Sequence, residues 1–199
     1  HLLQAGERVA VLVRPSSEAR AAGLKEAGAD VRVADLTDAA AVAAAARGCD
    51  VVYHIAATYR EAGQGDAAYA RVNVDGTKHV LEGALSAGAR RVVHCSTGGV
   101  HGHIEHPPAD ETAPYAPGDV YQRTKLEAEE LARSFGLRHL LDVVIARPIG
   151  IYGPGDLRFL KMFRGIARGR FPMLGSGEVF YHLTYIDDLV RGFALCGQE

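Results

Sequence analysis

Arg90-Arg91-Val92-Val93-His94-Cys95 runs directly into Ser96-Thr97-Gly98-Gly99, and the fold can be read outward from that junction. A short run centred on two valines and closed by small, polar residues reads as a strand ending in an open turn. The same unit recurs on either side. Residues 8–13 (Arg-Val-Ala-Val-Leu-Val) form a β-branched run suited to a strand buried on both faces, and 30–34, 50–55 and 141–146 are further strands. Helical stretches lie between them. One spans 18–27, with Ser16 or Ser17 as its cap and Gly28 as its stop; others span 39–47, 66–87 up to Gly88, and 121 to about 135. Strands alternating with helices at this spacing predict a parallel α/β sheet covered on both faces, and right-handed crossovers make it doubly wound.

Both ends depart from that rhythm. Residues 1–5 read as the last turn of a helix closed by Gly6, and no Gly-x-Gly-x-x-Gly-like pattern sits between a strand and a helix anywhere in the chain. Such sheets ordinarily open with a strand and a glycine-rich turn. The expectation is therefore a chain lacking its first strand and that turn. Beyond Gly153 the alternation weakens into a helix at 157–167, a glycine-rich turn at 175–177, a strand near 182–185 and a helix from Asp187. This reads as the beginning of a smaller C-terminal lobe, again cut short.

Composition narrows the function. The chain has 199 residues, 48% of them hydrophobic, and 22 basic against 24 acidic residues leave a net charge of -2. Neither sign forms a long run, so neither a nucleic-acid footprint nor a membrane-surface patch is visible. No apolar run reaches the ~18 residues of a spanning helix. Cys49, Cys95 and Cys196 lie far apart without a Cys-x-x-Cys, which argues against disulfides and thiolate metal sites. The expectation is a reduced, cytoplasmic protein acting on a small molecule.

The chemistry gathers where the strands end, because a doubly wound sheet binds ligands outside the carboxyl ends of its strands. The residues found there are Arg14, Asp35, Ala56-Ala57-Thr58, Ser96-Thr97-Gly98-Gly99 and Arg147-Pro148-Ile149-Gly150. Small or polar residues on one edge suit a cofactor lying along it, although turns also need such residues. Tyr121 and Lys125, four apart on the helix that follows Gly118, share one face. An ammonium beside a phenol favours its ionised form and makes it a proton donor or acceptor. On its own a Tyr-x-x-x-Lys also suits an ordinary amphipathic helix start.

Taken together these motifs resemble the extended short-chain dehydrogenase/reductases, in particular the NAD(P)-dependent epimerase/dehydratase and dihydroflavonol-reductase-like branch, with a Rossmann-like fold. The resemblance rests on Asp35-Leu36, residues 51–57, Asn73-Val74-Asp75-Gly76-Thr77, residues 96–102, Tyr121 with Lys125, Arg147-Pro148 with Tyr152-Gly153-Pro154-Gly155, and residues 185–189. It implies that 1–153 are a dinucleotide-binding domain and 154–199 part of a substrate-binding lobe that returns to the sheet. It implies Tyr121 as general acid/base, and Lys125 as the residue that lowers the pKa of Tyr121 and holds the nicotinamide ribose. Thr97, with Ser96 as the alternative, would steady the substrate oxygen. Asp35 and Leu36 would meet the adenine, Ala56 and Ala57 would let the cofactor pass, and Pro148 and Ile149 would line the nicotinamide. Asn73 would support the site without taking part in the chemistry.

Arg14 bears on cofactor choice. An acid at that strand end would bind a 2′-hydroxyl, whereas an Arg accommodates a 2′-phosphate, so NADP is expected over the alternative, NAD. His101 and His103 could share a face and a metal, but no Cys lies near and the resemblance implies no metal; with His106 they read as a substrate-side loop. His182 sits where the family places a substrate contact. Phe180 and Tyr181 depart from the Arg-Asp pair of the sugar-nucleotide enzymes, which weakens that substrate class. The expected activity is hydride transfer on a hydroxyl or carbonyl substrate, as epimerase, dehydratase or reductase, for a sugar derivative or a flavonoid- or steroid-like alcohol. The alternatives are a cofactor-sensing binding protein of the same fold, whose members usually lack the Tyr/Lys pair, and an inactive fragment. Relatives also pair as homodimers through the Tyr121 helix and the long helix before it.

Overall fold

A computed structural model describes residues 1–59, 63, 65–172, 175–178 and 180–198. Its strands are β1 (Ala10–Val13), β2 (Asp30–Val33), β3 (Val51–His54), β4 (Arg91–Cys95), β5 (Asp142–Ala146), β6 (Ile151–Tyr152) and β7 (Thr184–Tyr185). Its α-helices are α1 (Ala22–Glu26), α2 (Ala39–Ala46), α3 (Asp66–Ala70), α4 (Gly76–Ala87), α5 (Val120–His139), α6 (Leu160–Ala167) and α7 (Ile186–Gln198). Among the described residues every strand pairing is parallel, and the hydrogen bonds divide the sheet into three ladders, β1-β2, β3-β4-β5 and β6-β7.

β4 is the centre of the largest ladder, and helices cover both of its faces. The pairs Val52↔Val92 and His54↔His94 point one way and Tyr53↔Val93 the other. Over the first face, Leu81 and Ala84 of α4 and Ala132 and Phe135 of α5 close on Val92. On the second, Arg90 and Arg91 donate to the carbonyls of Gly197 and Cys196 at the end of α7. Val92 and Val93 are fully buried, and a buried aliphatic side chain of this size contributes about 1.5–3 kcal/mol. No ladder joins β1 to β3 among the described residues, yet Leu12 and Val52 pack on one cluster formed by Leu36, Val42 and Val80. The helices α2 and α4 therefore hold both ladders in one layer.

The elements fall where the sequence puts them, with instructive shifts. The stretch at 18–27 is a 3₁₀ turn (Pro15–Ala21) followed by α1, and neither Ser16 nor Ser17 caps it. Proline at the first helical position carries a preset φ and starts the helix earlier, after Arg14. The long helix at 66–87 is continuous but contains a π segment, Arg71–Asp75, between α3 and α4. The helix of Tyr121 runs on to His139 and begins with the Asp119 carboxylate accepting from the Gln122 N–H at 2.7 Å. α6 starts three residues late because Asp156 turns the chain back by accepting from the Arg158 N–H at 3.0 Å.

Candidate active site

The turns after β4 and β5 are tied together by backbone. The Ser96 N–H donates to the Ala146 carbonyl at 2.7 Å and the Gly98 N–H to that of Pro148 at 3.0 Å. Thr97 leads into a 3₁₀ turn (Gly98–His101), with its hydroxyl accepting from the Gly99 N–H at 3.1 Å. α5 then runs past this turn and delivers Tyr121, whose phenol comes near enough to Thr97 for that side chain to act on its pKa. Ala56 and Ala57 lie open at the end of β3, and Ile149 is 42% exposed beside Gly98. Thr97, Tyr121, Lys125, Ala56, Ala57, Pro148 and Ile149 are thus brought to one edge of the central ladder.

Tyr121 does not behave as its spacing from Lys125 suggests. Burial pushes the phenol up to about 12; Cys95, Tyr59 and Asp119 add to the rise, and Thr97 opposes it. Desolvation wins because it penalises the phenolate before any cofactor charge arrives. Lys125 is 2% exposed, and burial lowers its pKa against the pull of Cys95 and Glu129. Among the described residues its ammonium makes no hydrogen bond or ion pair. A buried ammonium without a partner is costly. A pair of ribose hydroxyls would satisfy it, so these residues fit a dinucleotide cofactor.

Behind the site Asn73, Glu129 and Arg147 are tied into hydrogen-bond networks, whereas the Ser96 hydroxyl and the His94 ring are buried without partners among the described residues. Asn73, in the π segment, accepts from the Thr58 N–H at 2.7 Å and donates to the Thr58 carbonyl at 3.2 Å and the Thr124 hydroxyl at 3.0 Å. It clamps the turn after β3 to the helix of Tyr121. π segments often mark functional positions. Glu129, fully buried and one turn beyond Lys125, receives both Arg133 and Arg147. Burial alone would raise its carboxyl, but the hydrogen bonds, from Arg147 foremost, hold it below the ordinary range. Arg147 also donates to His101 Nε2 at 3.0 Å, so His101 carries its proton on Nδ1 and gives it to the Pro114 carbonyl.

Other expected residues stand differently. His101 is 7% exposed and stacked on Tyr115, so it belongs to the frame; His103 and His106 are exposed. Leu36, expected along the cofactor, turns its side chain into the core with Val42 and Val80. Its apolar side chain is worth more there, and its carbonyl is paired with His79 Nδ1 at 2.7 Å. Asp35 is held below the usual carboxylate range chiefly by the Thr37 N–H and hydroxyl, with Arg14 and Arg71 adding to it. Tyr59 was not anticipated: its ring meets that of Tyr121 edge-on at 4.7 Å. Only its place next to Thr58 hinted at it. An open cavity of about 270 Å³ lies further out, lined by Tyr152, Pro154, Leu157, Leu160 and Phe163, with Asp156 among them. Among the described residues no group of three or more His, Cys, Asp or Glu could hold a metal, and no helix is long and apolar enough to cross a membrane.

The profile of the NAD dependent epimerase/dehydratase family matches residues 1–199. A 3beta-hydroxysteroid-dehydrogenase/decarboxylase of Arabidopsis thaliana is 33% identical over 168 residues, 79% of this chain and 37% of its own length. An N-acetyl-alpha-D-glucosaminyl-diphospho-ditrans,octacis-undecaprenol 4-epimerase of Escherichia coli O157:H7 is 30% identical over 80% of this chain and 49% of its own. The chain therefore spans less than half of these relatives. A solved structure of DesIV, a dTDP-glucose 4,6-dehydratase from Streptomyces venezuelae with NAD bound, superposes with a TM-score of 0.76 at 30% identity, covering 98% of this chain and 66% of that one.

Proposed function

This chain belongs to the NAD dependent epimerase/dehydratase family, and we propose that it carries the acid/base half of a hydride-transfer site in which Tyr121 moves the proton, Thr97 steadies the substrate oxygen and Lys125 holds the cofactor ribose. The bound dinucleotide supplies or accepts the hydride. The observation that supports the reading is the approach of the Tyr121 phenol to Thr97 at the strand edge, with the nearly buried Lys125 one turn further along the same helix. Ala56 and Ala57 leave the strand edge open for the dinucleotide, Asp35 and the Leu36 N–H face its adenine, and Pro148 and Ile149 flank its nicotinamide. Arg14, with no acid at the end of β1, makes NADP(H) the preferred form.

A phenol at about 12 is protonated at neutral pH, so in the resting site Tyr121 is a proton donor, fit to protonate an oxygen as a carbonyl is reduced. Acting as a base requires added positive charge beside it. On the substrate side the apolar cavity and the exposed Phe180 and Tyr181 favour a ring-bearing apolar alcohol or ketone, steroid-like as in the plant relative, over a nucleotide sugar. Residues 1–153 form the dinucleotide-binding part and 154–199 the substrate side and the return of α7 to the sheet. Two copies pair through α4 and α5.

The test begins with fluorescence titration of NADPH and NADH, followed by reduction of a 3-oxosteroid and, separately, turnover of a nucleotide sugar. Tighter NADPH, ketosteroid reduction and a loss of about 10²–10⁴-fold in Tyr121→Phe are expected. Unchanged turnover in Tyr121→Phe would remove that residue from its role, and tighter NADH would overturn the role of Arg14.

A further inference from the structure

Tyr59 is held from two sides. Its neighbour Thr58 is buried, with both main-chain groups bonded to Asn73, so the backbone that carries Tyr59 is fixed to the helix of Tyr121 through the same carboxamide that reaches Thr124. Its ring stands edge-on to that of Tyr121, with centroids 4.7 Å apart and planes at 68°. The Arg158 guanidinium lies near enough to the Tyr59 phenol for the two to interact. Arg158 is itself anchored, donating to Asp156 Oδ1 at 2.8 Å and to the Ile151 carbonyl at 2.7 Å.

We propose that Tyr59 is a positioning residue for the phenol of Tyr121, with Arg158 as the tether that keeps its ring in place. The proposal rests on the reading of Tyr121 as acid/base. The edge contact fixes the tilt of the phenol toward Thr97 and keeps water from one side of it, as aromatic pairs of this geometry do. Arg158 thereby acts on the acid/base group without touching it, and links the loop of the outer cavity to the site. Tyr59 is among the groups that raise the Tyr121 phenol, together with Cys95 and Asp119, while Thr97 opposes them.

The full chain with 3,5-difluorotyrosine incorporated at Tyr121 brings this phenol into the pH range of the folded protein and separates it from the other tyrosines by its absorbance. In that background Tyr59→Leu should lower the transition by about half to one pH unit, as water reaches the ring. Tyr59→Phe and Arg158→Gln each break the tether and leave the ring; each should give a smaller, equal shift, and the double variant no more than either alone. Arg158 has a side chain 52% exposed, so its variant tests the proposal even where Tyr59→Leu folds poorly. A transition unmoved by Tyr59→Leu, or additive shifts in the double variant, would overturn it. If only the acid/base reading is wrong, these shifts stand while Tyr121→Phe keeps its turnover.

Discussion

At the scale of single residues the site trades stability for function. Lys125 places an ammonium in a nearly closed position, where burial lowers its pKa and, among the described residues, no ion pair repays the desolvation. Lys125→Met keeps the stem and volume and removes the charge. It should leave the fold unchanged or gain about 1–3 kcal/mol in urea unfolding, while NADPH affinity falls by tenfold or more. A loss of stability instead would mean that the ammonium is structural. Asn73 is the opposite case, 1% exposed and making three hydrogen bonds that join the turn after β3 to α5. Asn73→Ala strands the Thr58 N–H and carbonyl and should cost about 2–4 kcal/mol. A cost below about 1 kcal/mol, read from the shift in urea midpoint, would show that the clamp is dispensable.

Among the elements α5 bears most of the site, and its packing depends on a small residue. A Cβ on Gly136 would lie 2.9 Å from the Leu141 carbonyl and 2.9 Å from Val143 Cγ2. Alanine in place of a helical glycine gains about 1 kcal/mol of propensity, whereas overpacking against a strand backbone costs about 1–3 kcal/mol. The steric cost wins because a main-chain oxygen cannot move aside, so Gly136→Ala should lower the melting temperature; a rise would show that α5 can lift off β5. Elements of this kind were legible wherever the signal was local. β4 and β5 came within a residue because valine runs mark them, and Tyr121 with Lys125 followed from helical spacing. What stayed hidden was set by distance. Asn73, within the π segment, reaches Thr58 and Thr124, and Glu129 meets Arg147 across 18 residues. The direction of the Tyr121 shift was misjudged for the same reason: spacing shows a neighbouring charge, whereas burial by Tyr59 and the turn after β4 appears only on folding.

For the molecule as a whole the central ladder carries an acid weakness. His54 and His94 pair across β3 and β4 with ring centroids 5.3 Å apart, under the helices that also bury Lys125. Burial, then the charge of Lys125, lowers His54 to about 3; His94 falls to about 2 for the same reasons, with His54 adding to them. Thr77 gives its proton to the Asn73 carbonyl at 2.6 Å, so His54 Nε2 donates to the Thr77 hydroxyl at 2.9 Å, which fits a neutral ring. Among the described residues neither ring nitrogen of His94 has a partner. In the unfolded chain both residues protonate near 6.5, so the unfolded state binds more protons as soon as pH falls below that value. Their contribution is complete above about pH 6.5 and is lost downward toward the folded values. Each costs about 1.4 kcal/mol per pH unit once the unfolded residue is charged. Glu129, whose carboxyl is lowered, adds its own loss only below its ordinary value of 4.5, so between 6.5 and 4.5 the two buried histidines stand apart from it. Urea unfolding at pH 7.5, 6.0 and 5.0 should show stability falling along this limb. His94→Leu, which buries no unpaired nitrogen, should halve the slope without weakening the protein at pH 7.5. A slope unchanged by that substitution would mean that His94 finds a proton in the folded state, and with it a partner beside Lys125.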